Sequence, residues 1–263
     1  MASEKRKLLS PEREQLILRA LNKGICRIEQ LSSELGVSEA TVRRDLVSLE
    51  EQTKVRRVHG GAIIAQSPKT EPIFAEKASI NPGEKNLIAE AALELIHDSD
   101  TIYLDGGSTV QALSKMLVRR KNLTVITNSL MAAAELMESG HRLILVGGEF
   151  RAISRTLIGP LTANIISALH IDKAFMGTIG FNPDYGMSTT DPNEAYTKEL
   201  IIKRSNVVIV LADSSKIGVS SFALSGGIAD IDILVTDSGI SQKTIEKLKK
   251  NKIEVIITQQ ENS

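Results

Sequence analysis

Apolar residues near the start of the chain recur at the three- and four-residue spacing of amphipathic helices, in three successive segments. Pro11 suits the first turn of a helix, and Gly24 suits the position just past its end. Gly36 in turn ends the second segment, and Ser38 is a good N-cap for the third. The pattern therefore predicts three short helices, whose apolar faces are Leu16, Ile17, Ala20 and Leu21; Ile28, Leu31 and Leu35; and Val42, Leu46 and Leu49.

The junction between the second and third predicted helices has the composition of a helix-turn-helix. Gly36 permits the tight bend, and Val37 fills the space between the two helices. The third helix then takes the place of a recognition helix, whose N-terminal residues reach base edges and phosphates in the major groove of DNA. The residues expected to do so are Ser38, Glu39, Ala40, Thr41, Arg43 and Arg44.

A short basic segment after the third helix predicts a β-wing. Between Thr53 and Val58, valine alternates with Lys and Arg, and Gly60-Gly61 follows. The basic side chains of such a wing follow the phosphate backbone. Its candidate contacts are Lys54, Arg56, Arg57 and His59. A solvated charged helix in a generic three-helix bundle would also explain Arg43 and Arg44, but the order of caps, turn and wing favours DNA binding.

From Asn81 onward, short apolar runs alternate with helical patterns. Continuous apolar runs separated by helices indicate a largely parallel sheet that is covered on both faces, which is an α/β architecture. The predicted strands are Thr101–Leu104, Leu123–Ile126, Leu143–Val146, Lys173–Met176, Val207–Leu211, Ile231–Val235 and Val255–Ile257.

Polar and Gly-rich residues follow five of these strands, and ligands of parallel sheets bind at the carboxyl ends of strands. Glycines let backbone N–H groups approach a ligand, hydroxyl groups donate hydrogen bonds to it, and the N-terminus of a helix favours an anion. An ordinary capped turn would explain each fragment taken alone, and Lys216 would then be a surface lysine. Dinucleotide and nucleoside-triphosphate motifs are absent. The residues that follow the five strands are Asp105, Gly106, Gly107, Ser108 and Thr109; Asn128 and Ser129; Gly148 and Glu149; residues 177–180; and residues 213–216, of which the last is Lys216.

The two parts of the chain differ in charge, although the formal net charge is zero. Residues 1–66 contain twelve Lys and Arg against nine Asp and Glu, whereas the rest contains twenty against twenty-three. No aromatic residue precedes Phe74, and the stretch 66–72 is polar with two prolines. These differences predict a DNA-binding domain at 1–65, a linker at 66–80 and a ligand-binding α/β domain at 81–263.

Composition also excludes several classes of protein. A single cysteine excludes an internal disulfide framework and favours the cytoplasm. The four histidines are dispersed, which argues against a metal site. The N-terminus has no apolar signal segment, and no apolar run approaches the roughly 20 residues of a membrane span, so no contact with a membrane is expected.

Several of these motifs together resemble the DeoR family of transcription factors. Arg-Arg-Asp-Leu at 43–46 and His-Gly-Gly-Ala at 59–62 are specific to that family when they occur at this spacing. The resemblance extends over nearly the whole chain. It implies an N-terminal winged helix-turn-helix domain followed by a mostly parallel α/β domain of the ribose-5-phosphate-isomerase-like type. Further matching residues are Arg13, Leu16, Leu21, Leu31, Gly36, Val37, Ser38, Thr41 and Val42.

The resemblance also implies a binding site for a phosphorylated sugar. Gly107, Ser108 and Thr109 would hold the phosphate, with Lys216 assisting and Lys85 as a further contact. The isomerases carry an acid-rich segment after a central strand, where this chain has 177–181 without a carboxylate. Because proton transfer at a sugar carbon needs a positioned base, enzymatic turnover is not expected. The residues implied to face the sugar hydroxyls are Asp105, Asn128, Glu149 and Glu194.

The resulting interpretation is a transcriptional regulator, most often a repressor in this family, of a carbohydrate-utilisation operon, controlled by a phosphorylated sugar and needing no cofactor. It is expected to bind double-stranded operator DNA as a homodimer or homotetramer, because one winged helix buries too little surface for tight specific binding. Two alternatives stay open. One is a sugar-phosphate isomerase-like enzyme with an accessory DNA-binding head, and the other is an interaction module whose winged helix binds protein.

Overall fold

The computed structural model describes residues 10–21, 26–51, 55–58, 61–64 and 71–259. The chain divides into two units, the N-terminal unit Met1–Thr70 and the C-terminal unit Glu71–Ser263. Within the described ranges, none of the helices has the length and apolar character needed to span a membrane.

Among its described residues, the N-terminal unit has three helices and a three-stranded sheet in the order β1 (Cys26–Arg27), β3 (Gly61–Ile64) and β2 (Val55–Val58). Strand β3 pairs antiparallel with both of its neighbours, so β2 and β3 form the wing. The apolar residues of the predicted helices other than Leu16 either belong with Val55 and Ala62 to one buried cluster or pack against it, and Leu16 is half-buried. The winged helix-turn-helix prediction is therefore confirmed. The elements are α1 (Ser10–Leu21), β1 (Cys26–Arg27), α2 (Ile28–Leu35), α3 (Glu39–Glu51), β2 (Val55–Val58) and β3 (Gly61–Ile64).

The turn between α2 and α3 has the geometry that its sequence predicts. Gly36 adopts the left-handed conformation with φ of 64°, and its N–H donates to the carbonyl of Ser32. Ser38 caps α3, since its Oγ accepts a hydrogen bond from the backbone N–H of Thr41 at 3.3 Å. A side chain other than glycine would be strained at position 36.

The C-terminal unit is built on a seven-stranded sheet with helices on both faces. Successive residues of one of its inner strands show this, because Ile102 and Leu104 belong to one buried cluster and Tyr103 to another. The elements are α4 (Phe74–Ser79), α5 (Pro82–Leu93), β4 (Thr101–Leu104), α6 (Ser108–Met116), β5 (Thr124–Thr127), α7 (Leu130–Leu136), β6 (Arg142–Leu145), β7 (Glu149–Arg151), β8 (Thr156–Ile158), α8 (Ala163–Ser167), β9 (Ile171–Met176), β10 (Gly180–Asn182), β11 (Gly186–Thr189), α9 (Pro192–Ile202), β12 (Ser205–Leu211), β13 (Ala223–Gly227), β14 (Ile233–Asp237), α10 (Gln242–Lys250) and β15 (Glu254–Thr258).

The large sheet has the order β15-β14-β12-β9-β4-β5-β6, and every neighbouring pair is parallel. The chain enters the sheet at β4, adds β5 and β6 on one side, and then crosses to β9 on the other. The strand order therefore reverses between β4 and β9. In open α/β sheets, ligands bind in the crevice at the carboxyl ends of the strands at such a switch point. All seven predicted strands are present, with bounds within two residues of those predicted.

Two smaller sheets are absent from the predictions. Strands β7 and β8 form an antiparallel hairpin, and β10, β11 and β13 form a three-stranded antiparallel sheet. These strands are three to five residues long and contain several glycines and polar residues. Such short segments carry too few apolar positions to show a period of two.

The predicted linker 66–80 differs from the structure in its second half. Residues 71–80 belong to the C-terminal unit, where Glu71 and Phe74 are buried. Residues 66–70 lie outside the described ranges. A single aromatic side chain in a polar stretch shows no periodicity, so the pattern alone could not place Phe74 in a core.

Candidate functional site

The N-terminal end of α3 presents the side chains expected of a recognition helix. Ser38, Ala40, Arg43 and Arg44 are exposed, and Glu39 and Thr41 are half-buried. The Arg43 guanidinium forms an exposed ion pair with Glu39 one turn earlier, at 3.0 Å. Because an exposed pair of this kind contributes little to stability, it leaves the arginine able to exchange Glu39 for a phosphate.

Asp45 anchors the recognition helix to the first helix of the unit. Its two carboxylate oxygens accept from Arg13 at 2.8 and 2.9 Å, and the Asp45 side chain is buried. Two parallel hydrogen bonds of this kind fix orientation as well as distance. The Arg13–Asp45 pair therefore positions α3 relative to α1.

The backbone of the wing is described, and it places Arg56 opposite Ile63 and Arg57 opposite Ala62. Their side chains lie outside what the structure describes, as do the whole of residues Lys54 and His59. The proposed contacts of these four residues with DNA therefore stay predictions.

A pocket of about 680 Å³, counting the space at its mouth, opens at the switch point of the large sheet in the C-terminal unit. It is formed by the loops that follow β4, β9 and β12, together with α4, α5 and α9. Its lining residues are Lys77, Ile80, Lys85, Gly106, Gly107, Ser108, Thr109, Val110, Ser154, Gly177, Thr178, Glu194, Lys198, Leu211, Ala212, Asp213 and Lys216.

Two glycines allow the loops after β4 and β9 to meet at this pocket. A Cβ on Gly177 would lie 2.3 Å from the carbonyl oxygen of Gly106, closer than any real contact. Gly107 has φ of +135°, a conformation that other residues rarely adopt. Both positions therefore require glycine, and their backbones line the pocket directly.

One end of the pocket suits an anion. Helix α6 begins there at Ser108, and the first N–H groups of a helix have no acceptor within it. Lys85 and Lys216 line the same end. The Lys85 ammonium donates to the carbonyls of Lys77 and Ile80. Burial lowers the pKa of Lys85, and Asp213 partly offsets that effect.

The wall of the pocket also holds a buried network of charges around Lys198 of α9. Lys198 pairs with Asp105, donates to the carbonyl of Gly177 at 2.9 Å and lies 3.8 Å from Glu194. Burial alone would lower the pKa of Lys198, but Asp105 and Glu194 outweigh it and raise that pKa. Burial raises the pKa of Glu194, and the positive charges of Lys198 and Arg151 oppose that rise. Lys198 is therefore held as a cation in a poorly solvated place, whereas burial favours the neutral form of Glu194.

Glu194 has an acceptor without a hydrogen-bond partner among the described residues. Its Oε2 lies 3.2 Å from Arg151 Nη1, which is ion-pair distance, yet neither atom makes a hydrogen bond there because the angles are unsuitable. A buried carboxylate oxygen in this condition is able to accept from a ligand hydroxyl.

Five of the residues predicted to bind the effector do not line the pocket: Asp105, which pairs with a residue that does, and Asn128, Ser129, Gly148 and Glu149. Asn128 donates to the carbonyl of Leu157 at 3.1 Å, and Ser129 caps α7. Gly148 packs against β8, where a Cβ would lie 2.7 Å from a carbonyl oxygen, and Glu149 is exposed on β7. The hairpin of β7 and β8 explains this placement, because it pairs with the end of β5 and occupies the space beside it.

The structure brings the other seven predicted residues together. Lys85, Glu194, Lys216 and residues 106–109 line the pocket, and Asp105 reaches it through its pair with Lys198. Lys198 and Lys77 were missed by the predictions. Glu194 and Lys198 are four residues apart on a helix, and this spacing is a signal from which Lys198 could have been predicted. No group of three potential metal ligands occurs within the described ranges.

Comparison with known proteins agrees with both units. Residues 13–68 match the DeoR-like helix-turn-helix domain, and residues 80–238 match the DeoR C terminal sensor domain. The chain is 36% identical over 250 residues to the uncharacterized HTH-type transcriptional regulator FruR of Bacillus subtilis (strain 168), covering 92% of this chain and 100% of that protein. It is also 36% identical over 234 residues to the HTH-type transcriptional repressor GlcR of the same strain, covering 89% and 90%.

A third relative is the putative aga operon transcriptional repressor of Escherichia coli O157:H7, which is 32% identical over 251 residues and covers 94% of this chain and 93% of that one. Among solved structures, ribose 5-phosphate isomerase A from Methanocaldococcus jannaschii aligns with a TM-score of 0.40, 20% identity and coverage of 52% of this chain and 55% of that chain. A likeness at that level says nothing about activity. The two domain matches and the relatives together show that this chain is a helix-turn-helix transcriptional regulator, not an enzyme, and that it belongs to the DeoR family.

Proposed function

We propose that this regulator represses a carbohydrate-utilisation operon and that a phosphorylated sugar binds in the pocket at the switch point to control its binding to operator DNA. The names of the relatives GlcR and the aga operon repressor support repression, since both are called repressors. Operator DNA as the partner also places its action in the cytoplasm.

The observation that carries the proposal is the charge of the pocket. Lys77, Lys85, Lys198 and Lys216 line it, but Lys77 pairs with Glu71 and Lys198 with Asp105. The Lys85 ammonium instead donates to two neutral carbonyls, and the N-terminus of α6 adds partial positive charge beside it. These uncompensated positive groups suit a phosphate better than a neutral sugar. Ser108 and the backbone N–H groups of the first turn of α6 are the proposed phosphate donors.

The other half of the proposed effector lies toward α9. Glu194 Oε2 is buried without a hydrogen bond among the described residues, and Thr178 contributes a hydroxyl at the pocket wall. Carboxylate oxygens accept from the neighbouring hydroxyls of a sugar. The pocket therefore offers both donors for a phosphate and an acceptor for sugar hydroxyls.

DNA binding is proposed to use the exposed end of α3 and the wing. Arg43 and Arg44 would contact phosphates or base edges, and the wing arginines would follow the backbone. We further propose a homodimer or a tetramer, because one winged helix buries less surface than specific operators need.

A thermal-shift titration of the full chain against ribose 5-phosphate, glucose 6-phosphate, fructose 1-phosphate and the unphosphorylated sugars tests the effector. At 100 times its Kd, the right ligand stabilises the protein by about 2.7 kcal/mol. Ser108→Ala and Lys216→Met should reduce the shift, whereas Lys243→Met on the exposed face of α10 should leave it unchanged. Equal stabilisation by the unphosphorylated sugar, or an unchanged shift in both pocket variants, would contradict the proposed phosphate site.

A further inference from the structure

The segment Glu71–Asn81, here called the strap, is held on the C-terminal unit at its start by buried polar contacts. The Glu71 carboxylate accepts from Arg151 at 2.6 Å, from Lys77 at 2.7 Å and from Thr190 at 2.5 Å. Its side chain is 2% exposed, so these bonds are shielded from water. Glu71 is therefore the first anchor of the strap.

Phe74 is the second anchor. Its side chain is 3% exposed, its N–H donates to the carbonyl of Ile153 at 3.0 Å, and the Arg155 guanidinium lies 5.3 Å from its ring centroid. The helix α4 that begins at Phe74 is only six residues long. A helix of this length is not stable by itself and depends on such contacts.

The far end of the strap occupies the donors that the proposed phosphate would use. The carbonyl of Lys77 accepts from the Lys85 ammonium and from Ser108 Oγ, the latter at 3.3 Å. The carbonyl of Ile80 also accepts from Lys85. Both Lys77 and Ile80 line the pocket. Two of the three N–H groups of the Lys85 ammonium and the hydroxyl proton of Ser108 are thus directed at the strap.

The strap is also connected, through Arg151, to the carboxylate that is proposed to accept hydrogen bonds from the sugar. Arg151 donates to Glu71 through Nη2, and its Nη1 lies 3.2 Å from the Glu194 carboxylate. The same guanidinium therefore contacts the first anchor of the strap and the carboxylate proposed to accept sugar hydroxyls. A ligand that draws Glu194 away changes the surroundings of Arg151 and hence of Glu71.

We propose that the effector displaces the strap: a phosphate bound by Lys85 and Ser108 takes their hydrogen bonds from the carbonyls of Lys77 and Ile80, and the end of α4 withdraws. This inference rests on the proposed phosphate site. Phosphate oxygens are charged acceptors and form stronger bonds to ammonium than neutral carbonyls do. They also repel carbonyl oxygens that point at the same donors. Carbonyls and phosphate therefore compete for the two side chains.

Displacement of the strap has a direct consequence along the chain. The strap follows Thr70, the last residue of the N-terminal unit. A released strap lengthens and loosens the connection to the DNA-binding unit, whereas a bound strap holds its C-terminal attachment in one place. The effector then shifts a two-state equilibrium, because it binds the strap-released state and the strap competes for the same donors.

Hydrogen exchange of the full chain, with and without inorganic phosphate and ribose 5-phosphate, tests this inference. Binding at the proposed site slows exchange of the amides in the first turn of α6. The strap proposal expects exchange in α4 to rise by about tenfold in the same sample, as a tenfold shift toward an open state would give. The amides of α10 serve as the internal reference. Protection at α6 with unchanged or slower exchange in α4 would overturn the strap and leave the phosphate site standing. No protection at α6 would overturn both.

Two variants test the competition from the other side. Glu71→Gln and Phe74→Ala each loosen an anchor and leave the phosphate donors unchanged, so both should bind inorganic phosphate about tenfold more tightly than the wild type. Glu246→Gln, on the exposed face of α10, is the control and should bind as the wild type does. Circular dichroism establishes that each variant is folded. Unchanged or weaker binding by a folded variant would contradict the strap as a competitor.

Discussion

The ammonium of Lys198 joins the two strands of the switch point, because it pairs with Asp105 after β4 and donates at 2.9 Å to the carbonyl of Gly177 after β9. The side chains of Lys198 and Asp105 are 3% and 2% exposed. Removing one partner of such a pair leaves an uncompensated buried charge. We expect Lys198→Met to lower the free energy of unfolding by about 3–5 kcal/mol, measured by urea denaturation.

A double variant separates the loss of stability due to an unpaired charge from the loss due to the changed packing of the Lys198 side chain. Combining Lys198→Met with Asp105→Asn removes both charges, so its loss should be clearly smaller than the sum of the two single losses. Lys203→Met, on an exposed residue at the end of the same helix, is the control. A Lys198→Met protein as stable as that control would contradict a structural role for the pair.

Gly177 is expected to tolerate no side chain. A Cβ there would lie 2.3 Å from the carbonyl of Gly106, so Gly177→Ala must push the loops after β4 and β9 apart. Overpacking of this kind costs about 1–3 kcal/mol, and it should also weaken effector binding. Thermal denaturation and phosphate titration measure the two effects.

Gly83→Ala is the matched control for that substitution. Gly83 lies in α5, and a Cβ would meet nothing within 4 Å. Alanine there should stabilise the protein by about 0.4–1 kcal/mol, because it restricts the unfolded chain. If both alanine variants behaved alike, the close approach of Gly106 and Gly177 would not matter to the fold.

Glu71 should make stability depend on pH in the acid range. Burial by itself would raise the pKa of Glu71, but hydrogen bonds from Arg151, Lys77 and Thr190 outweigh it and lower the pKa from 4.5 to about 2. The unfolded chain therefore binds a proton at a higher pH than the folded chain does. The contribution of Glu71 to the free energy of unfolding is therefore complete above pH 4.5 and is lost as the pH falls toward 2. The total loss is about 3 kcal/mol.

The difference in the free energy of unfolding between the wild type and Glu71→Gln separates the effect of Glu71 from that of the other carboxylates. The variant should be less stable than the wild type at pH 7, and the gap should narrow at pH 3. Chemical denaturation at the two pH values is the measurement. A gap of constant size would show that Glu71 titrates normally in the folded protein.

Arg43 and Arg44 should affect DNA binding without affecting the fold. Both are exposed on α3, so Ala substitutions should change the free energy of unfolding little. A lost phosphate contact should reduce the slope of log affinity against log salt by about 0.9, and a lost base contact should cost about 1–3 kcal/mol. Fluorescence anisotropy with promoter DNA measures both.

The matched control for these arginines is Arg204→Ala, which removes an exposed arginine from the C-terminal unit. It should bind DNA like the wild type at every salt concentration. If the Arg43 and Arg44 variants also did so, α3 would not be the recognition helix, and the winged helix would serve protein binding instead.

The elements predicted most accurately are those whose own residues specify them. Gly36 and Ser38 mark the helix-turn-helix, and the apolar run Val207–Leu211 predicts, without help from the rest of the chain, the buried parallel strand found at Ser205–Leu211. The strap could not be predicted in this way. Glu71 is buried because Arg151, 80 residues later, forms an ion pair with it, and no local pattern reports such a partner.

The residues of the site also divide into those that the local sequence could predict and those that depend on distant parts of the chain. The rule that ligands bind at strand ends selects the loops after β4 and β12, which meet in one pocket. It also selected Asn128 and Glu149, which the hairpin of β7 and β8 keeps out of that pocket. The hairpin is too short to recognise from its sequence, so the order of strands alone could not show which loops converge.

The central claim is that one phosphorylated sugar, bound in this pocket, controls operator binding. Its most direct test is the affinity of the full chain for promoter DNA, by anisotropy, with and without the sugar phosphate that gives the thermal shift. We expect a change of about 5–150-fold in the wild type, the usual range of allosteric coupling, and no change in Lys216→Met at the same ligand concentration. An operator affinity that the ligand leaves unchanged in the wild type, or changes equally in Lys216→Met, would contradict it.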